Sequence, residues 1–226
     1  MLFWSNESRT LNIALYFLDS LVFSKIDKFI CGILLSFFMS DVILLWDCPL
    51  LFEKLFVEYG LECTRALSTS LCTPYLPACK VLILPTGFAN KQYTKTGAGL
   101  ERGKRSLEKF VTKGGTLLVF SPLVPEYEYE WLPFSLKYVM EENSCTPQPV
   151  GKHEAQKLVE NIDPPVGCDG YFAETDADVV LTDDKGRSIM VVKEIGEGMI
   201  VATTIHELPS AGFFECRVAC TKKVKP

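Results

Sequence analysis

Few residues in this chain are of a type and spacing that could do chemistry. Ser121 is the first of them. It closes the stretch Gly114-Gly115-Thr116-Leu117-Leu118-Val119-Phe120-Ser121-Pro122, an apolar run opened by two glycines and stopped by a proline. That pattern predicts a buried strand with one hydroxyl at its exit, where ligands and catalytic groups collect in α/β proteins. The second group is His206-Glu207, at the end of the apolar run Met199 to Ile205. A serine nucleophile, a histidine base and an orienting carboxylate would make a hydrolase of esters or amides, with Ser121, His206 and Glu207 as the candidate catalytic residues. His206 and Glu207 are sequence neighbours, so Glu207 points away from the ring unless the strand ends there and the chain turns. The plain alternative for His206 is a strand-end histidine satisfied by a backbone carbonyl. A third candidate is Cys48, just before a predicted helix, whose thiol a helix N-terminus could acidify; a packed, inert cysteine is the alternative.

The elements that would position these groups are readable from Asp41 onward. Val42 to Trp46 is a continuous apolar strand, and Asp47 or Cys48 is placed to cap the helix that Pro49 opens. Leu51, Phe52, Leu55, Phe56 and Tyr59 repeat at helical spacing up to Gly60. Cys63 to Leu67 and Val81 to Leu84 follow as strands. This β-α-β-β order with short connections implies a parallel sheet with right-handed crossovers. Thr86 to Ala98 is a polar loop at the exit of the third strand. Its Thr86, Gly87 and Asn90 are the candidate ligand-binding residues, glycine allowing close backbone approach. The Gly97-x-Gly99 pair lacks the third glycine and the preceding strand of a phosphate loop. A helix spans about Leu100 to Lys113.

Past Pro122 the pattern changes. Pro125 to Trp131 alternates Tyr and Glu, which predicts a half-exposed edge segment, or a rim over a pocket if it has a function. Phe134 to Met140 has a strand pattern, and His153 to Val159 a short helix. The last third reads as short strands at Asp169–Ala173, Val179–Leu181, Ile189–Ile195 and Met199–Ile205, joined by turns such as Asp183-Asp184-Lys185-Gly186. A terminal helix starts near Ala211.

Composition narrows the function classes. The 226 residues are 48% hydrophobic, enough for a sizeable core, and the formal charge of −5 argues against a protein built to neutralise phosphates. Arg102, Lys104, Arg105, Lys109 and Lys113 share one predicted helix, whose solvated face they form, so no nucleic-acid partner is expected. Nine scattered cysteines, with no Cys-x-x-Cys pair, point to a reducing, cytoplasmic setting. Cys216 and Cys220 have only His153 and His206, both remote, to complete a zinc site, so no metal and no cofactor is expected.

Residues 1–38 stand apart, with two apolar blocks interrupted by Asp19, Lys25, Asp27 and Lys28. The run Phe29 to Met39 falls short of the roughly 20 residues a membrane span needs, and no signal-peptide pattern is clear. Three readings follow: a helical segment packing on the domain or on a membrane surface, a poor anchor, or an extension foreign to the native protein. The last is favoured, because Met39-Ser40-Asp41 directly precedes the first strand. Membrane contact is expected only if residues 1–38 are native, and 39–226 is expected to be one domain.

Three places carry a resemblance to a known family: Val81 to Gly87 with its Pro-Thr-Gly exit, the helix–Gly114-Gly115–strand unit, and the Gly196-Glu197-Gly198 turn with the strand that runs to His206-Glu207. Over roughly Asp41 to Ser210 the chain resembles the class I glutamine amidotransferase-like superfamily, nearest to its ThuA-like and biotin-protein-ligase N-terminal-like branches. The resemblance implies an α/β, flavodoxin-like three-layer sandwich with a mostly parallel sheet and antiparallel C-terminal strands. Family enzymes carry Gly-x-Cys-x-Gly at the strand exit and a His-Pro-Glu where this chain has His206-Glu207. Laid on that pattern, Ser121 takes the cysteine position, and Val119 and Leu123 the glycines. Pro122 then stands where the next residue's N–H would serve the oxyanion hole. Losing one such donor costs about 2.7–4 kcal/mol of transition-state stabilisation. The resemblance therefore implies a non-catalytic domain that binds a small ligand or a protein partner at the strand carboxyl ends.

Overall fold

The computed structural model describes residues 40–206 and 208–226. The apolar runs form strands where their continuity predicts them: β1 at Val42–Leu45, β3 at Val81–Leu84 and β4 at Thr116–Val119, each buried along its whole length. With β2 (Cys63–Ala66) and β11 (Gly198–Thr203) they make a parallel block in the order β2-β1-β3-β4-β11. Alternate side chains on these strands enter two cores. Ile43, Leu45, Leu82, Leu84, Leu117 and Val119 pack beneath α2 (Gly97–Thr112), which supplies Leu100, Leu107, Phe110 and Val111. Val42, Leu44, Val81, Ile83 and Leu118 pack on the other face. Phe56 of α1 (Leu51–Glu58) and Phe213 and Phe214 of α3 (Ala211–Cys220) cover that face. Each fully buried side chain of this size contributes about 1.5–3 kcal/mol, so the block is a firm platform for whatever leaves its carboxyl edge.

The remainder overturns the expected flavodoxin-like sandwich, and with it the fold that the amidotransferase resemblance implies. The described sheet has eleven strands in one mixed, curled arrangement. Past β11 it continues through β10 (Ser188–Ile195), β8 (Val166–Thr175), β6 (Leu136–Cys145) and β5 (Glu126–Glu128), while β9 (Asp178–Thr182) pairs with β10 and with the short β7 (Gln148–Pro149). Four of the described pairings are parallel and six antiparallel, so the sheet is not mostly parallel. The cause lies in β6 and β8. Each runs ten residues, twice the strand length legible at Asp169–Ala173, and they pair antiparallel along most of that length.

Smaller corrections follow the same logic. The segment expected to be a half-exposed edge does supply the edge strand β5, but Tyr129 and Trp131 beyond it are buried. They stack with Tyr127, Phe88 and Phe172 in an aromatic cluster. Residues 154–159 form a 3-10 helix capped by His153, whose Nδ1 accepts from the Ala155 N–H at 3.0 Å. Neither Asp47 nor Cys48 caps α1, since the capping position falls on Leu50. Asp47 instead accepts the Lys95 N–H at 3.0 Å, and that bond holds its carboxyl below the usual range. Among the described residues no helix is long and apolar enough to cross a membrane. The reading of residues 1–38 lies outside the described residues.

Candidate functional site

Beyond Thr203 the chain keeps pairing, not with its parallel neighbour but with the first half of β8. Asp169 N–H donates to Thr204 O at 2.9 Å and His206 N–H to Gly167 O at 2.8 Å, with Cys168 opposite Ile205. This short antiparallel ladder carries Asp169 alongside the exits of β4 and β11. From the far side β6 presses close, and Gly170 permits it: a Cβ there would lie 2.2 Å from Val139 O and 2.7 Å from the Tyr138 ring. The Tyr138 hydroxyl then reaches the Asp169 carbonyl at 2.8 Å. Burial, followed by the charges of Asp169 and Glu142, pushes the Tyr138 phenol well above its ordinary range, so it stays a donor.

At the centre of the site is a carboxylate that the sequence reading did not single out. Ser121 Oγ donates to Asp169 Oδ2, and His206 Nδ1 lies 2.9 Å from Asp169 Oδ1. A carboxylate only accepts, so Nδ1 carries the proton and Nε2 is left to the outside. The order is serine, aspartate, histidine, whereas nucleophilic activation needs the histidine between the other two. Burial points the same way. Ser121 is 0% exposed and no solvent-borne substrate meets its hydroxyl. The His206 side chain is 62% exposed.

His206 and Asp169 open onto a cleft of about 490 Å3, lined also by Glu142, Asn143, Ser144, Gly167 and Cys168. Its wall is polar along β6 and β8. What it offers a ligand is the outward imidazole edge, held in orientation by a buried carboxylate, and the side chains of Glu142 and Ser144, which are exposed. This arrangement can accept and donate hydrogen bonds, and it presents no accessible nucleophile from Ser121.

The loop residues expected to bind a ligand lie elsewhere. Gly87, at φ 87°, donates its N–H to Ser121 O at 2.8 Å. Asn90 Nδ2 donates to Leu123 O at 3.0 Å, while its Oδ1 accepts from the Gln92 N–H at 3.0 Å. These bonds hold the exit of β4 in a turn where Leu123 adopts φ 51°, a left-handed conformation that costs about 1–2 kcal/mol for a residue with a side chain. Thr86 is half-buried beside them, and none of Thr86, Gly87 and Asn90 lines the cleft. Of the three candidate catalytic residues the structure brings Ser121 and His206 to one carboxylate; Glu207 lies outside the described residues. Cys48 is exposed. The missed residue, Asp169, had a faint signal: a lone acid inside Val166-Gly167-Cys168-Asp169-Gly170-Tyr171-Phe172, where a buried charge requires partners.

No family model matches the chain, and no curated protein matches it. Among solved structures it is similar to the cold-adapted beta-galactosidase of Rahnella sp. R3, at 14% identity and a TM-score of 0.46, over 80% of this chain and 31% of that one. A beta-galactosidase from the Antarctic haloarchaeon Halorubrum lacusprofundi gives 11% identity and a TM-score of 0.46, over 80% and 29% of the two chains. A cytoplasmic protein of Salmonella typhimurium gives 12% and 0.46, over 82% of this chain and all of its own. The chain thus spans about a third of the beta-galactosidases it is similar to, and likenesses this loose assign neither a family nor an activity.

Proposed function

We propose that the domain binds a small polar ligand in the cleft beside His206 and leaves it chemically unchanged, in the cytoplasm. One observation carries this reading: Ser121 is fully buried and its hydroxyl is committed to Asp169. Pro122 adds to it by lacking the N–H that an oxyanion hole would use. The binding contacts are the outward edge of His206 and the polar wall contributed by β6, with Asp169 fixing the ring rather than touching the ligand. The cytoplasmic part rests on the nine scattered cysteines.

A metabolite thermal-shift screen on the full chain tests the proposal, with His206→Ala as the control. The ring is exposed and its loss leaves the core intact. The expected result is a raised melting temperature for a polar compound in the wild type that vanishes in His206→Ala. Esterase, amidase or glutaminase turnover lost in both Ser121→Ala and His206→Ala would overturn it in favour of the hydrolase. A screen in which His206→Ala retains every hit would remove the cleft from the binding reading.

A further inference from the structure

Beneath the cleft, two thiols lie in contact. Cys145 near the end of β6 and Cys168 in β8 are each 3% exposed, and their sulfurs are 3.4 Å apart. The strand register explains the approach. Asn143 is opposite Cys168 and Cys145 opposite Val166, so the two cysteines are diagonal neighbours on one face of an antiparallel pair. A disulfide needs its sulfurs at about 2.05 Å, so closure asks for a movement of a little over an ångström. The β6–β8 register shifts between Met140 and Asn143, directly before the paired stretch that holds the two cysteines. Cys168 also lines the cleft, which gives a small oxidant a route to its sulfur.

We propose that Cys145 and Cys168 form a reversible intramolecular disulfide when the protein meets a peroxide. The electrons balance in two steps. The Cys168 thiolate attacks one peroxide oxygen, the O–O bond breaks, and the departing hydroxide is protonated to water, leaving a sulfenic acid. The Cys145 sulfur then attacks the Cys168 sulfur, the S–O bond breaks, and the second oxygen leaves as water. The two thiols together lose two electrons and two protons, and peroxide is reduced to two waters. A dithiol reductant reverses the bond by exchange. Burial raises both thiols above their ordinary range, with nearby carboxylates adding to it, so the reaction is slow at neutral pH and faster in mild alkali. The inference is independent of whether a ligand is found, since it rests on the two sulfurs alone.

Reduced full-length protein is exposed to hydrogen peroxide, quenched by alkylation, and read by intact mass and peptide mapping. The expected result is an intact mass with two alkyl groups fewer than the reduced, alkylated chain, a linked pair of peptides holding Cys145 and Cys168, and full reversal by dithiothreitol. Cys145→Ala and Cys168→Ala each abolish the linked peptide, and either variant alone suffices if the other does not fold. Recovery of both peptides alkylated after peroxide overturns the proposal. So does Cys168 linked to any other cysteine, or a sulfinic acid at Cys168 without the link.

Discussion

The carboxylate of Asp169 is the hinge of the site, and a double-mutant cycle with Ser121 measures it. In Asp169→Ala the Ser121 hydroxyl, at 0% exposure, loses its acceptor inside the core. An orphaned buried donor costs about 1–3 kcal/mol. His206 also loses a partner, but with 62% of its side chain exposed water replaces most of that bond, and about 0–1 kcal/mol is added. The sum is roughly 1–4 kcal/mol. Ser121→Ala takes a donor from a buried carboxylate that keeps His206, at about 1.5–3 kcal/mol. The double variant leaves neither group orphaned, so its cost falls short of the two singles added together by about 1–2 kcal/mol, within the usual coupling of contacting residues. Asp169→Asn belongs between wild type and Asp169→Ala, because Ser121 and His206 sit on different carboxylate oxygens and the amide keeps only one of the two as an oxygen acceptor. Urea unfolding gives these differences from midpoints at constant slope, and each kcal/mol shifts the melting temperature by about 2–4 °C in a domain this size. Additivity within about 0.5 kcal/mol would refute the reasoning, because it would mean that Ser121 and Asp169 do not share a hydrogen bond.

Two further substitutions test the framework around the cleft. Gly170→Ala places a methyl 2.2 Å from Val139 O, so β6 and β8 must separate; the expected loss is about 1–3 kcal/mol, and an unchanged urea midpoint would show that the strands do not approach so closely. Asp183 is a pH probe. Burial would raise its carboxyl, but the Arg187 N–H at 2.8 Å, the Arg187 guanidinium and the Lys185 N–H outweigh it and hold the group below 3.8. A lowered folded value means that its stabilisation is complete above the unfolded value and is lost as pH falls through the folded one. Asp183→Asn is therefore expected to cost about 1.5–3 kcal/mol at pH 7 and to approach wild type as the pH falls through the lowered value; parallel acid curves would exclude the role.

What was legible in the sequence was what local pattern encodes. Val42–Leu45, Val81–Leu84 and Thr116–Val119 are continuous apolar runs, and each is a strand covered on both faces. The helix at Leu51–Glu58 follows from its apolar spacing, and Ser121 and His206 do meet at one place. β6 and β8 were legible only in part. Their middles carry Glu141, Glu142, Asn143, Gly167, Asp169 and Gly170, which break any alternation of apolar and polar residues. These residues are tolerated because distant chain segments satisfy them. Asp169 takes its partners from positions 48 and 37 residues away, Ser121 and His206 respectively. No window of sequence contains that information. The same holds for Gly87 and Asn90, whose bonds to Ser121 O and Leu123 O at the β4 exit join segments more than thirty residues apart.

The topology, more than any missing motif, decides the chemistry at the β4 exit. Val119 and Leu123 where an elbow would have glycine, and Pro122 where it would have an N–H, already weaken a nucleophile at Ser121. Restoring those residues alone would still not free the hydroxyl. An antiparallel strand, β8, lies along the extension of β11 and brings a carboxylate in from the side, into the space where a base nitrogen would have to approach. The imidazole is displaced to the outer oxygen of that carboxylate and turned toward the cleft. One strand running in the opposite sense thus buries the serine and exposes the histidine, and the proposed binding surface centred on His206 rests on that exchange.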